Sequence, residues 1–140
     1  MRTDPLEHRA PPLTLFEDDA LLVCVKPRGV LAAADASGAV SMAALLAPRA
    51  VYPVHRLDRD VTGVMVFAKT KAAAAWLSGE KAALQKDYLA VTEGVPPQSG
   101  GDIGLFAWRL SFRHPDGTER CFTLPEALLP EELRAAFLVN

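Results

Sequence analysis

The run His55-Arg56-Leu57-Asp58-Arg59-Asp60 places five ionisable groups in six residues. Arg56 and Arg59 flank Asp58, and nearby cations favour the ionised carboxylate, which suits a nucleophile or base at neutral pH. The competing reading is a surface ion-pair loop. Such pairs are common and contribute little, so on charge pattern alone it is the commoner outcome. Tyr88 is a second candidate, since a tyrosine on a strand offers a flat face to a nucleobase; its ordinary alternative is a half-buried core aromatic. Lys26 and Arg28 are suited either to binding phosphate or to a solvated turn. Trp76 reads as core and His114 as part of a turn. There is no Gly-x-Ser-x-Gly elbow, no phosphate-cradling glycine loop before a helix and no His-Glu-x-x-His. His8, His55 and His114 are scattered and no Cys-x-x-Cys pair occurs, so no metal site is expected.

The elements that must carry these residues follow from apolar patterning. Leu13–Phe16 and Ala20–Val25 read as strands around the acidic turn Glu17-Asp18-Asp19. Lys26-Pro27-Arg28-Gly29 breaks the pattern. Ser41 caps a short helix, Met42–Ala47, which Pro48 stops, and Val51–Val54 is a brief extended piece. The charged run 55–60 is a loop held by Gly63–Ala68, a strand that is apolar without alternation and so buried on both faces. A strand end of this kind holds polar groups rigidly while they face a cleft. Thr70 caps the alanine-rich segment Lys71–Leu84, with Gly79 weakening its middle. Asp87–Thr92 is a strand bearing Tyr88, and Val95–Gly104 is a Pro/Gly/Ser-rich connection. Phe106, Trp108, Leu110 and Phe112 alternate with Ala107, Arg109, Ser111 and Arg113, as in a half-buried strand. A tight turn at His114-Pro115-Asp116-Gly117 leads to its hairpin partner Arg120–Leu124. Glu131–Phe137 reads as a closing helix. The expected class is α+β, with a mixed, mainly antiparallel sheet and a few helices.

Length bounds the answer. A chain of 140 residues fits one domain, 13–140, preceded by a flexible arm, 1–12. Half of the residues are hydrophobic and 23% charged, a globular balance. No apolar run approaches the roughly 20 residues that span a bilayer, and the polar start lacks a signal-peptide stretch, so a cytoplasmic location with no membrane partner is expected. Cys24 and Cys121 are isolated in strand-like runs and read as buried thiols in a reducing compartment. Net charge is −2, but residues 49–71 carry a local +3 while 1–20 and 116–140 each carry −3. A local basic surface of that kind suits phosphate, although a solvated face is the commoner outcome.

Taken together, these motifs resemble the RluA-type RNA pseudouridine synthases. His55-Arg56-Leu57-Asp58-Arg59-Asp60-Val61-Thr62-Gly63 before an apolar strand is similar to that family's signature. Three other stretches fit in order: Glu17–Val30 with its Lys26-Pro27-Arg28-Gly29 turn; Lys86-Asp87-Tyr88 with Gly94; and Ala107–Phe112 with His114-Pro115 and Gly117. The resemblance covers most of 13–137 and implies a pseudouridine-synthase-like domain that isomerises uridine in structured RNA (ribosomal or transfer RNA), without cofactor or metal. It implies that Asp58 is catalytic, that Tyr88 packs on the target base, and that Arg56 fills the gap left by the departing base. Arg59 and Thr62 complete the implied substrate-binding set.

The chain also departs from the pattern. Val61 replaces the usual threonine, and Phe106 stands where a histidine is usual. Between Gly94 and Phe106 a central block is absent, including the arginine that normally pairs with the catalytic aspartate. This shortened form is therefore expected to be an enzyme, with an RNA-binding relative without activity, or a remnant completed by a partner chain, as the alternative. A homodimer is one way to cover the sheet edges such a loss exposes. Arg109, Arg113 or a basic side chain from a second subunit are the candidate replacements for the missing arginine.

Overall fold

The computed structural model describes residues 12–91 and 104–129. The proposed arm 1–12, except Pro12, the connection 95–104, except Gly104, and the closing helix 131–137 lie outside the described residues. The remainder is an α+β unit. Seven strands form one mixed sheet in the order β1-β2-β4-β6-β5, with β3 also on β4 and β7 also on β6. They are β1 Thr14–Glu17, β2 Leu21–Lys26, β3 Tyr52–Pro53, β4 Val61–Ala68, β5 Gln85–Val91, β6 Gly104–Arg113 and β7 Glu119–Thr123. Every pairing is antiparallel except β4 with β6.

β4 is central because its sequence has nothing to show to water. Residues 64–68 are fully buried, and burying a Val or Phe side chain contributes ~1.5–3 kcal/mol. Alternate β4 side chains feed two cores, as the period of two requires. Val64 and Val66 join Leu21, Val23 and Leu110 under helix α2 (Lys71–Ser78), which buries Ala73 and Leu77. Val61, Met65 and Phe67 join Leu22, Cys24 and Ala107 on the other face, under helix α1 (Met42–Leu46) and Leu57.

Both helices start where a side-chain cap was expected. Ser41 Oγ accepts from Ala44 N and Thr70 Oγ1 from Ala73 N. The alanine-rich segment is shorter than its composition suggests. Gly79 ends α2, and a 3-10 turn, Glu80–Ala82, follows, closed by Ala83 at φ 49°. Glycine and a left-handed residue stop the helix where the chain must turn into β5.

The β4–β6 contact is only three residues long: Val61 with Leu105, Thr62 with Phe106, and Gly63 with Ala107. A Cβ on Gly63 would overlap Ala107 Cβ and lie 2.7 Å from Ala107 O. Glycine is required here by close approach of two backbones. Beyond Gly63 the two strands part, and β4 next pairs on that side with β3, at Phe67 and Ala68. Far from this seam, buried His114 braces the two ends of the fold. Its Nδ1 accepts from Asp116 N at 3.0 Å and its Nε2 lies 2.7 Å from Asp18 Oδ2.

The two thiols differ. Cys24 is buried, and burial pushes its thiol up to about 12. Cys121 is exposed, contrary to the expectation of two buried thiols, because β7, paired alongside β6, turns Cys121 outward with Glu119 and Thr123.

Candidate active site

Asp58 begins a turn that feeds β4: Val61 N donates to Asp58 O at 3.0 Å. The loop is held by its backbone. Arg59 O, at the corner of the turn, accepts from Gly29 N at 2.7 Å and from Lys26 Nζ at 3.0 Å. Arg56 O accepts from Lys86 Nζ at 3.1 Å. Leu57 is buried in the α1-side core. The side chains of Arg56, Asp58, Arg59 and Asp60 are exposed, and among the described residues none of them has an ion pair.

Lys26 is therefore neither of the two things its sequence context suggested. It is fully buried, and its ammonium donates to Pro27 O, Val30 O and Arg59 O at 3.0, 2.7 and 3.0 Å. An ammonium has three donors, and here each finds a carbonyl, as a buried charge requires. Burial pulls the group down to about 8, against the opposing charges of Asp60 and Asp58. Those carboxylates thus sit over a buried cation, close enough to feel its field.

His55 fills the gap where β4 and β6 part. Its Nε2 accepts from Val66 N at 3.0 Å, replacing a ladder carbonyl. The ring proton must then be on Nδ1, which is buried without a hydrogen-bond partner. Burial, with a smaller contribution from the Lys86 charge, pulls His55 down to about 4. The ring is neutral at physiological pH.

Tyr88 is exposed, at 45%, and belongs to neither core cluster. Its register partner is Ala107, and the irregularity here skips Trp108 of β6. Ala107 packs in the α1-side core with Leu57, so Tyr88 lies on the sheet face that carries the Asp58 loop, while Lys86, paired with Leu110, sends its Nζ to Arg56 O in that loop. The fold brings Asp58, Arg56, Arg59 and Tyr88 to one side. It does not bring Thr62 there: Thr62 pairs with Phe106, which packs in the α2-side core, while its neighbours Val61 and Gly63 meet the other core.

Arg109 and Arg113 do not take the place of the missing arginine. Arg109 Nε bonds Asp87 Oδ2 at 2.6 Å and Arg113 reaches Glu119 at 3.4 Å. The local positive balance of residues 49–71 is also reduced, because Arg49 and Lys69 both pair with Glu17, at 3.2 and 2.8 Å. Arg56 and Arg59 remain as outward cations beside Asp58. The loop-holding roles of Lys86 and His55 are not apparent in the sequence, although Lys86 stands in the Lys-x-Tyr motif already singled out. Among the described residues no cluster of His, Cys, Asp and Glu is arranged to hold a metal ion, and no helix is long and apolar enough to cross a membrane.

Comparison with known proteins agrees with the motifs. Ribosomal large subunit pseudouridine synthase C of Haemophilus ducreyi is 36% identical over 129 residues, covering 86% of this chain and 39% of that protein. The Yersinia pestis and Escherichia coli proteins of the same name are 40% and 38% identical over 89 residues, 57% of this chain and 27% of theirs. The chain thus spans between 27% and 39% of the length of these relatives. Human RNA pseudouridylate synthase domain containing 4 superposes with a TM-score of 0.42 and 27% identity, over 54% of this chain and 32% of that one. The family described as RNA pseudouridylate synthase matches residues 20–116, a span that holds both the Asp58 loop and Tyr88, and the chain belongs to that family.

Proposed function

We propose that this chain isomerises uridine to pseudouridine in structured RNA, with Asp58 as the catalytic nucleophile or base. The observation that carries the reading is the Asp58 turn. It is clamped through its carbonyls by Lys26, Gly29 and Lys86, leaving the carboxylate exposed beside outward arginines and on the side from which Tyr88 projects. The isomerisation breaks the C1′–N1 glycosidic bond, turns the ring, and joins C1′ to C5. C5 loses its proton and N1 gains one, so no redox partner or group donor is needed.

The reacting carbons are hidden in a base stack, so the nucleotide must leave it, at a cost of a few kcal/mol. Stacking on Tyr88 recovers ~1–3 kcal/mol of that. Arg56 occupies the gap in the stack and Arg59 meets phosphate. Thr62, on the opposite face, supports the strand rather than the substrate. The names of the relatives point to ribosomal RNA, and so to the cytoplasm, as the place of action. The same reading treats 13–140 as one domain. The test is chemical detection of pseudouridine in RNA incubated with the protein. Product from the wild type and none from Asp58→Asn is the expected result; equal product from both would refute the role of Asp58. RNA affinity that falls with salt, without product from either, would instead make the chain a binding relative.

A further inference from the structure

Next to the Asp58 loop, and sharing Arg56 with it, lies a second recess. It is a cleft of about 470 Å³ between two loops, walled by Ala33, Ala34, Pro53 and Val54, with Asp35, His55 and Arg56 at its polar positions. That size lies within the ~300–1,000 Å³ of small-ligand sites. Four of its lining residues are apolar, which suits contact with a base face. Arg56, one of the two cations that flank Asp58, lines this cleft, where a sugar-phosphate chain leaving the catalytic turn would meet it.

Asp35 is prepared in a particular way. Its Oδ1 accepts from Ser37 N at 2.7 Å and from Ser37 Oγ at 2.5 Å, which fixes the side chain in a local turn. Oδ2 has no hydrogen bond among the described residues and is left as a lone acceptor. A fixed carboxylate oxygen accepts from a base edge that carries amino or imino hydrogens. Guanine offers two side by side, and cytosine and adenine each offer an amino group. Uracil turns two carbonyl oxygens toward it, around a single N–H.

We propose that this cleft binds the nucleotide adjacent to the target uridine and that Asp35 selects its base, favouring guanine, cytosine or adenine over uracil. This rests on the proposed action on RNA and names a second subsite within it. The test is binding of fluorescein-labelled RNA hairpins with one uridine in the loop and each base in turn at its two neighbours, at fixed salt, with pseudouridine measured on the same RNAs. Wild type should bind amino-bearing neighbours about tenfold more tightly than uracil at one of the two positions, in line with one charge-assisted base contact.

Asp35→Asn keeps the oxygen that holds the Ser37 turn and replaces the free oxygen with a donor, so the preference should turn toward uracil. Asp35→Ala should abolish it. A preference that persists in both variants, or is absent from wild type, overturns the proposal. Product formed without an Asp35-dependent preference removes the subsite and leaves the activity standing. A preference without product does the reverse. Failure to bind any hairpin overturns both.

Discussion

Gly63→Ala is the substitution that most directly tests how this fold holds its site together. The added Cβ would lie 2.7 Å from Ala107 O and 3.0 Å from Ala107 Cα, whereas ordinary contact begins near 3.4 Å. The neighbour that must yield is backbone in β6, so no side-chain rotation relieves the overlap. Moving β6 back by ~0.7 Å stretches the adjoining ladder bonds past useful geometry. These bonds contribute ~1 kcal/mol each, and the overpacking itself costs ~1–3 kcal/mol. The expected loss is ~3–5 kcal/mol, a large share of the ~5–15 kcal/mol that holds an ordinary domain.

The functional effect should be steeper still. The three-residue seam is the direct β4–β6 contact that relates the Asp58 turn, at the head of β4, to Tyr88 on β5. Urea unfolding gives the first quantity and pseudouridine formation the second. Gly63→Ala/Ala107→Gly removes the Cβ overlap and should recover part of the loss, giving a coupling energy of ~1–2 kcal/mol between the two sites. A Gly63→Ala protein within ~0.5 kcal/mol of wild type, a change typical of unremarkable surface sites, would refute the argument that this contact fixes the geometry.

Other outcomes follow from the same structure. His55 is pulled down to about 4 from an ordinary 6.5, so the folded state resists its protonation. The stability it lends is complete above pH 6.5 and is lost as pH falls through that value toward 4. Between pH 7 and 4.5 this amounts to roughly 2 kcal/mol, measurable by urea unfolding as a steeper acid decline in wild type than in His55→Gln; parallel declines would refute it. Arg109→Ala removes a half-exposed pair with Asp87 and should cost less than ~1 kcal/mol, with little change in product yield; a collapse of activity would mean that Arg109 acts on Asp58 after all. In native protein a thiol reagent should modify Cys121 promptly and Cys24 only on unfolding, since Cys24 is buried and raised to about 12. Mass spectrometry of the labelled chain distinguishes the two.

Much of the scaffold can be read from the chain because its signals are local. Unbroken apolar residues mark β2 and β4, alternation marks β6 from Phe106 to Arg113, and Ser41 and Thr70 cap the helices that follow them. Asp58 and Tyr88 are visible through motif spacing. What the chain hides depends on meetings between distant residues. Nothing near Lys26 announces that Pro27, Val30 and Arg59 will each turn a carbonyl toward it. Arg49 and Lys69 look like part of a basic stretch until folding brings Glu17 to both. The placement of Thr62 did have a signal: the parity of β4 sets it opposite Val61 and Gly63, and that parity outweighs its place in the motif. Asp35 offered no such cue, because a carboxylate in an alanine-rich loop gains meaning only from the loop across the cleft.

The loop that carries Asp58 is gripped at the carbonyls of Arg56, Asp58 and Arg59, groups that every amino acid possesses. Its shape is thus largely indifferent to which side chains it displays at those positions. Chemistry and architecture can then vary separately. Exchanging an outward residue alters what the loop does to a substrate without asking the fold to be re-established, whereas altering Lys26, Gly29 or Lys86 alters the mount itself. Selection acting on such a loop can revise its reactivity one residue at a time while the frame that presents it stays constant.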